Sequence, residues 1–513
     1  MPATRVAVIG AGIAGLSAAL DLALGGARVV VLERSARVGG KLRQVEIDGA
    51  CIDAGPTVLT LQSVFAELFA AAGADFQQDV PMSRAEILAR HAWSDRDRLD
   101  LFADWHRNVD AIGEFAGRLE ARNYTLFARD ARRIYQMLEP TYIRAQRPGV
   151  FELVRRVGWS ALPEMFRLRP FQSLWRALGG YFRDPRLRQL FGRYSTYCGS
   201  SPFAAPATLM LIAHVEQEGV WLVEGGMHRI AAALADLGRR HGVEFRFQTE
   251  AEAVLTKAGR LSGVQLTTGE YIPIDAAVVN ADAAAVAAGL LGSQIARSVP
   301  MTHKRRRSLS AVTWALLAQS TGFPLIRHSV FFSHDYPAEF EQLFGSNQVP
   351  ASPTVYVCAQ DRDASDRPAP AGRERLFCLI NAPPSGDSNS YGPAEIDRCE
   401  QRTFSLLERY GLTLDRDRES TVVTTPAQFE RMYPGTGGGL YGQATHGWRA
   451  SFRRPGSRTR IAGLYLAGGS VHPGPGIPMA ALSGRLAAAS LLEDLTSANR
   501  SAPKATRGGT LTQ

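Results

Sequence analysis

Residues 6–33 read VAVIGAGIAGLSAALDLALGGARVVVLE, and this stretch determines the fold class. Val6–Ile9 is a short apolar run of the kind found in a buried parallel strand. It leads into Gly10-Ala-Gly12-Ile-Ala-Gly15, then an Ala/Leu-rich helix to about Leu24. Gly25-Gly26 closes that helix, and Arg28–Leu32 forms a second strand ending at Glu33. Gly10 permits the tight turn, Gly12 lets a pyrophosphate approach the backbone, and Gly15 lets helix and strand pack closely. The phosphates would meet the positive end of the helix. Glu33 is placed to accept hydrogen bonds from ribose hydroxyls. Three glycines alone are weak evidence, but set between two strands and followed by a terminal acid they specify a dinucleotide-binding Rossmann unit.

The continuation, Glu33-Arg34-Ser-Ala-Arg-Val-Gly39-Gly40-Lys41, resembles the segment after the second strand in the flavin amine oxidase and phytoene desaturase superfamily. There the paired glycines run along the diphosphate and flavin of FAD. Asp53-Ala-Gly55-Pro56-Thr57 resembles the next piece, whose backbone lies beside the isoalloxazine ring; read without the family, it is an ordinary turn. The stretch 219–227, GVWLVEGGM, resembles the central Gly-Gly segment of bacterial phytoene desaturase-type carotenoid enzymes. Further on, the resemblance implies a backbone contact to adenine at Val254. Near the end, AGGSVHPGPGIPMAALSG (467–484) is similar to the C-terminal signature of the same family. A strand, a glycine-rich turn and a helix start form an anion-receptive site there. Gly468, Gly469, Gly476, Ile477 and Pro478 are the expected flavin contacts. His472 is either a further contact or a turn histidine.

The resemblance spans about residues 5–494. It implies an α/β chain whose FAD-binding lobe is assembled from 1–74, 215–285 and 440–494. A mainly helical insertion (75–214) and a mixed strand and loop insertion (286–439) build the substrate lobe. Residues 495–513 lack apolar periodicity and read as a frayed tail. The Gly435–Gly439 run has neither a preceding apolar strand nor a terminal acid, so it reads as a flexible or close-approach loop, not a second dinucleotide motif.

Composition narrows the possibilities. With 513 residues, 45% apolar and 21% charged, the chain is globular and larger than one core supports. Five scattered cysteines (Cys51, Cys198, Cys358, Cys378, Cys399) argue for free, mostly buried thiols rather than a disulfide scaffold or zinc site. The apolar stretch ending at Leu24 imitates a signal peptide, but its glycine spacing is better explained by the dinucleotide motif. No apolar run reaches the ~20 residues that span a bilayer. The chain is therefore expected in the cytoplasm. The net charge of +9 suits an anionic partner. Nine arginines and three carboxylates between Phe151 and Arg193, interleaved with Trp159, Phe166, Phe171, Trp175, Tyr181 and Phe182, suit an anionic membrane surface, here the inner or photosynthetic membrane. Nucleic acid is disfavoured, because no recognised binding module accompanies the charge.

Neither a catalytic triad nor a metal cluster emerges, and flavin desaturation of a polyene needs neither: the enzyme aligns a C–H bond with the cofactor. No base is assigned. With no NAD(P)H module, the electron acceptor is expected to be oxygen or a membrane quinone. Within the family, RYSTYCGSSPF (193–203), together with Gly437–Gly442 and His446-Gly, is more similar to the 1-hydroxycarotenoid 3,4-desaturases of purple photosynthetic bacteria than to phytoene desaturases. This resemblance implies a 3,4-desaturation of an acyclic 1-hydroxycarotenoid. Phytoene desaturase, a carotenoid isomerase or saturase, an amine oxidase and a nonenzymatic binder remain alternatives. A buried substrate hydroxyl without a partner costs about 1–3 kcal/mol, so one polar contact is expected at the closed end of the tunnel. Tyr433, Thr436, Tyr441 and His446 are the candidates.

Overall fold

The computed structural model describes residues 3–158, 171–363 and 372–501. β1 (Arg5–Ile9), α1 (Ile13–Leu24) and β2 (Arg28–Leu32) form the expected parallel unit. Gly10 takes φ +100° to leave β1, and a Cβ on Gly15 would collide with the Gly10 carbonyl oxygen. The unit sits in a five-stranded sheet in the order Leu464–Leu466, Ala276–Val279, β1, β2, Glu244–Arg246. All four pairings are parallel. Val6, Val8, Val31, Val278 and Val279 are fully buried, because both faces of the sheet are covered; this is why the strands read as unbroken apolar runs.

The C-terminal helix Ile477–Ser501 packs along α1, with Gly484 lying against the Ala14 carbonyl. It continues past the boundary at 495, where the sequence suggested fraying. Residues 502–513 lie outside the described residues.

The second lobe is a sheet of eight strands. Its long central strand, Ser310–Gly322, pairs with Glu374–Ala382 and, at its other edge, with Leu412–Asp415 and Thr421–Thr424. The first insertion is helical along most of its length, including the 21-residue helix Arg118–Leu138. It also contributes Ile87–Ala92 and Arg98–Phe102 to this sheet, and Ile87–Ala92 lies parallel to His328–Phe331 of the second insertion. The two insertions therefore share one layer. Their apolar side chains, Trp314, Phe331 and Phe332 among them, are buried in it. The Gly435–Gly439 loop is a close-approach loop: side chains on Gly437 and Gly438 would collide with the Pro384 and Pro426 carbonyls.

The basic, aromatic segment is less uniformly exposed than its composition suggests. Phe182 is buried, Tyr181 donates to Asp130 at 2.7 Å, and Trp175 lies under the Arg188 guanidinium. Phe151 and Phe171 are exposed, at 85% and 59%. Trp159 and Phe166 fall outside the described residues. Cys51 is exposed and Cys198 partly so, whereas the other three cysteines are buried; all five are free. Among the described residues no helix is long and apolar enough to cross a membrane, and no His/Cys/Asp/Glu group is placed to hold a metal.

Candidate functional site

One cavity of about 1160 Å³ runs from the glycine-rich turn into the second lobe. At one end it is bounded by Glu33, Arg34, Glu250 and Ala251. Glu33 is held at the tip of β2, where its two carboxylate oxygens accept the Ala11 and Ser35 amides at 2.7 and 2.8 Å. It thus shapes the turn while keeping lone pairs free for a ribose. Arg34 bonds the Met432 carbonyl and lies 3.9 Å from Glu250.

The middle of the cavity is lined by Gly12, Gly39, Gly40, Lys41, Asn280, Gly468, Gly469, Gly476, Ile477 and Pro478. Gly12 and Gly39 form an isolated bridge, and Gly40 packs so closely that its Cβ would stand 3.3 Å from the Gly12 Cα. Helix α1 carries no acidic residue in its first turn, so its positive end is open to an anion. Lys41 donates to the Leu440 carbonyl at 2.6 Å, and burial lowers its pKa. Farther along, Gly55, Pro56 and Thr57 reach the wall. A side chain at Gly55 would collide with the Lys41 carbonyl.

Asn280, which no motif in the sequence marks, holds two parts of the site together. Its Oδ1 accepts the Gly15 amide at 3.0 Å, and its amide group donates to the Ala467 carbonyl at 3.1 Å. It thereby ties the N-terminal turn to the C-terminal one, and it stands 2.7 Å from where a Gly12 Cβ would lie. Arg454 was also missed. It donates to the Tyr441, Gly469 and Gln443 carbonyls at 2.9, 3.2 and 2.8 Å, clamping the 441–445 loop to the glycine turn. Neither has a local sequence signal, because every partner is distant or backbone.

Three residues of the expected cofactor site do not line the cavity: Gly15, which packs against the Gly10 carbonyl, Val254 and His472. Val254 is fully buried, and its amide donates to the Leu291 carbonyl at 3.0 Å; the wall meets this part of the chain at Thr249–Ala251 instead. His472 precedes a cis proline, and its Nε2 lies 2.9 Å from both the Tyr142 and Ala145 carbonyls. Burial lowers its pKa to about 4. It anchors the turn to the first insertion rather than facing the cavity.

Beyond Thr57 the wall becomes apolar, with Leu138, Leu209, Leu211, Ile212, Val215 and Phe340. Polar groups interrupt it: Glu339, which accepts the Thr354 amide and hydroxyl at 3.1 and 2.7 Å, Asn381, and a cluster around Arg193. Thr57 Oγ1 and the Tyr356 hydroxyl are 2.6 Å apart, and the latter is 2.8 Å from His328 Nδ1. Burial lowers the His328 pKa to about 3. The Arg193 guanidinium lies over the Tyr197 and Tyr356 rings, at 5.2 and 5.7 Å from their centroids, and donates to the Tyr197 hydroxyl at 2.9 Å. Glu216 faces the same group, its pKa raised by burial and held back by Tyr194, Tyr197 and Arg193.

The anticipated hydroxyl contacts are mostly occupied elsewhere. Tyr433 bonds the Gly40 carbonyl, Thr436 the Tyr433 carbonyl, and His446 accepts the Ser201 amide. Thr436 and His446 do not line the cavity, whereas Tyr433 and Tyr441 do.

Residues 13–492 match the model of the flavin containing amine oxidoreductases. Over 99% of its length the chain is 50% identical to hydroxyneurosporene desaturase of Rubrivivax gelatinosus, covering 97% of that protein. It is 30% identical to 1-hydroxycarotenoid 3,4-desaturase of a Flavobacterium species, covering 94% of this chain and 98% of that one. An oxidoreductase from Methanosarcina mazei superposes with a TM-score of 0.61 at 17% identity, over 95% of this chain and 100% of its own.

Proposed function

We propose that this chain, which belongs to the family of flavin containing amine oxidoreductases, is an FAD-dependent desaturase that introduces the 3,4 double bond into an acyclic 1-hydroxycarotenoid. The carrying observation is that one cavity is lined both by glycine turns and a helix N-terminus and by leucine, isoleucine and valine side chains. A dinucleotide and a long apolar molecule would meet end to end in it, and the names of the relatives fit that substrate.

In this reading Glu33, Arg34 and Glu250 hold the adenosine end, and Gly12, Gly39, Gly40, Gly468, Gly469, Gly476, Ile477, Pro478 and the start of α1 take the diphosphate and ribityl. Lys41, Gly55, Pro56 and Thr57 flank the ring. Bound flavin supplies a two-electron acceptor for the hydride that leaves one substrate carbon. Leu209, Ile212, Val215 and Phe340 exclude water and hold the polyene straight, so that one C–H bond is presented repeatedly in the same place. The neighbouring proton is acidified by the conjugated chain and leaves to water or a weak base, so no side chain is assigned as a strong base. The electrons pass on to oxygen or a membrane quinone. Exposed Phe151 and Phe171 in an arginine-rich segment support docking on an anionic membrane, where such a substrate dissolves.

Anaerobic incubation with 1-hydroxyneurosporene and with phytoene, followed by product analysis, tests the reading. Flavin bleaching with a new 3,4 double bond in the hydroxylated carotenoid is expected. Desaturation of phytoene alone would reassign the substrate, and no flavin reduction by either would refute the desaturase.

A further inference from the structure

The polar cluster in the apolar half of the cavity calls for a ligand. A guanidinium carries five N–H donors, and among the described residues that of Arg193 makes one hydrogen bond, to Tyr197. It lines the cavity together with Glu216 and Tyr356. Its remaining donors open onto the cavity, and an apolar ligand filling that space would strip them of water without replacing its hydrogen bonds, which is costly. A molecule that binds there should bring an oxygen.

Position narrows the choice. In a 1-hydroxylated acyclic carotenoid the oxygen on C1 and the C3–C4 bond are separated by two or three carbon–carbon bonds, about 3–5 Å. The group that recognises the hydroxyl must therefore lie beside the reacting bond, not at the far end of the tunnel. The cluster satisfies that condition. Arg193 stacks on Tyr356, and Tyr356 is hydrogen-bonded to Thr57, the residue at which the dinucleotide half of the cavity opens into the apolar half.

We propose that Arg193, oriented by Tyr197 and Tyr356 and opposed by Glu216, binds the tertiary hydroxyl of the substrate and makes the enzyme select hydroxylated chain ends over hydrocarbon ones. Arg193 donates to the hydroxyl oxygen, and the hydroxyl proton points to the Glu216 carboxyl. A methyl ether keeps the first bond and loses the second. A hydrocarbon loses both and leaves the guanidinium facing methyl groups, a mismatch of the kind that gives strong rejection. Tyr197 is a positioning residue: its hydroxyl and ring fix the guanidinium plane. The assignment also gives a physical role to the 193–203 stretch, through which the sequence most resembles the hydroxycarotenoid enzymes. It rests on the substrate class proposed above.

The test is the kcat/KM ratio for 1-hydroxyneurosporene over neurosporene, with the 1-methyl ether as a third substrate, in flavin-loaded enzyme. Wild type should prefer the alcohol, then the ether, then the hydrocarbon. In Arg193→Met the ratio of alcohol to hydrocarbon should collapse by about 100-fold. In Glu216→Gln the alcohol should lose about tenfold while the ether is spared. Tyr197→Phe retains the ring beneath the guanidinium and serves if Arg193→Met fails to fold; its ratio should fall by about tenfold. A wild-type preference for the alcohol that survives within threefold in Tyr197→Phe and in folded Arg193→Met or Glu216→Gln overturns this assignment alone. A wild type that desaturates only the hydrocarbon overturns the substrate class and this assignment with it.

Discussion

Asn280 gives the sharpest handle on how the discontinuous dinucleotide lobe holds together. Replacing it by alanine removes the acceptor of the Gly15 amide and the donor to the Ala467 carbonyl, at 3.0 and 3.1 Å. An unsatisfied buried backbone group costs about 1–3 kcal/mol. The site is only part-buried, so water entering the vacated space recovers some of the loss, and about 2–3 kcal/mol in total is the expected destabilisation. Urea unfolding of the apoprotein, analysed by linear extrapolation, measures it directly. Asn280→Asp separates support of the turn from cofactor binding. Its carboxylate still accepts the Gly15 amide and, like alanine, loses the donor to the Ala467 carbonyl, but it places a negative charge beside Gly12, where the positive end of α1 would otherwise attract a diphosphate. Titration with FAD should therefore rank the variants wild type, alanine, aspartate in falling affinity, with aspartate at least tenfold weaker than alanine. An alanine variant whose unfolding free energy stays within about 0.5 kcal/mol of wild type, or an aspartate variant that binds FAD as tightly as wild type, would refute the reasoning.

Acid stability follows from the buried histidines. Burial lowers the pKa values of His91 and His328 to about 3, and those of His446 and His472 to about 4, below the ordinary 6.5. Only the unfolded chain takes up those protons between pH 6.5 and 4, so stability is full above about pH 7 and falls as the pH drops, by about 1.4 kcal/mol per pH unit for each histidine. Glu339, raised by burial to about 7, and Glu216, also raised, act in the opposite direction. The net loss between pH 6 and 5 should be about 1–3 kcal/mol, read by urea unfolding; stability that is level or rising from pH 7 to 5 would contradict it. At the membrane, flotation should recover more protein with anionic than with neutral vesicles, and Phe151→Asp should reduce both. Equal partition would remove the electrostatic contribution, and no partition would remove membrane docking altogether.

The sequence by itself determined the βαβ unit, its turn and its terminal acid. Each of these depends on backbone geometry within about thirty residues, and Gly10, Gly15 and Glu33 sit where their spacing requires. The resemblance to the flavin amine oxidase and phytoene desaturase superfamily pointed to the later turns at 39–40, 55–57 and 468–478, which the structure brings to the cavity wall. It could not place residues whose role depends on which atoms happen to be free after folding. Val254 and His472 lie in the right segments, but their polar groups are turned to Leu291 and to the Tyr142 and Ala145 carbonyls. The strands at 87–102 were missed because they are too short to announce a sheet, and pairing with residues 328–331 is what makes them one. Asn280 acquires its role only when residues 15 and 467 are brought to it. The Thr57, Arg193, Glu216 and Tyr356 cluster likewise exists only where both insertions close over the dinucleotide lobe. A motif in which neighbouring residues constrain one another's backbone is visible in the chain; a site whose residues meet only through sheet register and lobe packing is decided by the tertiary structure.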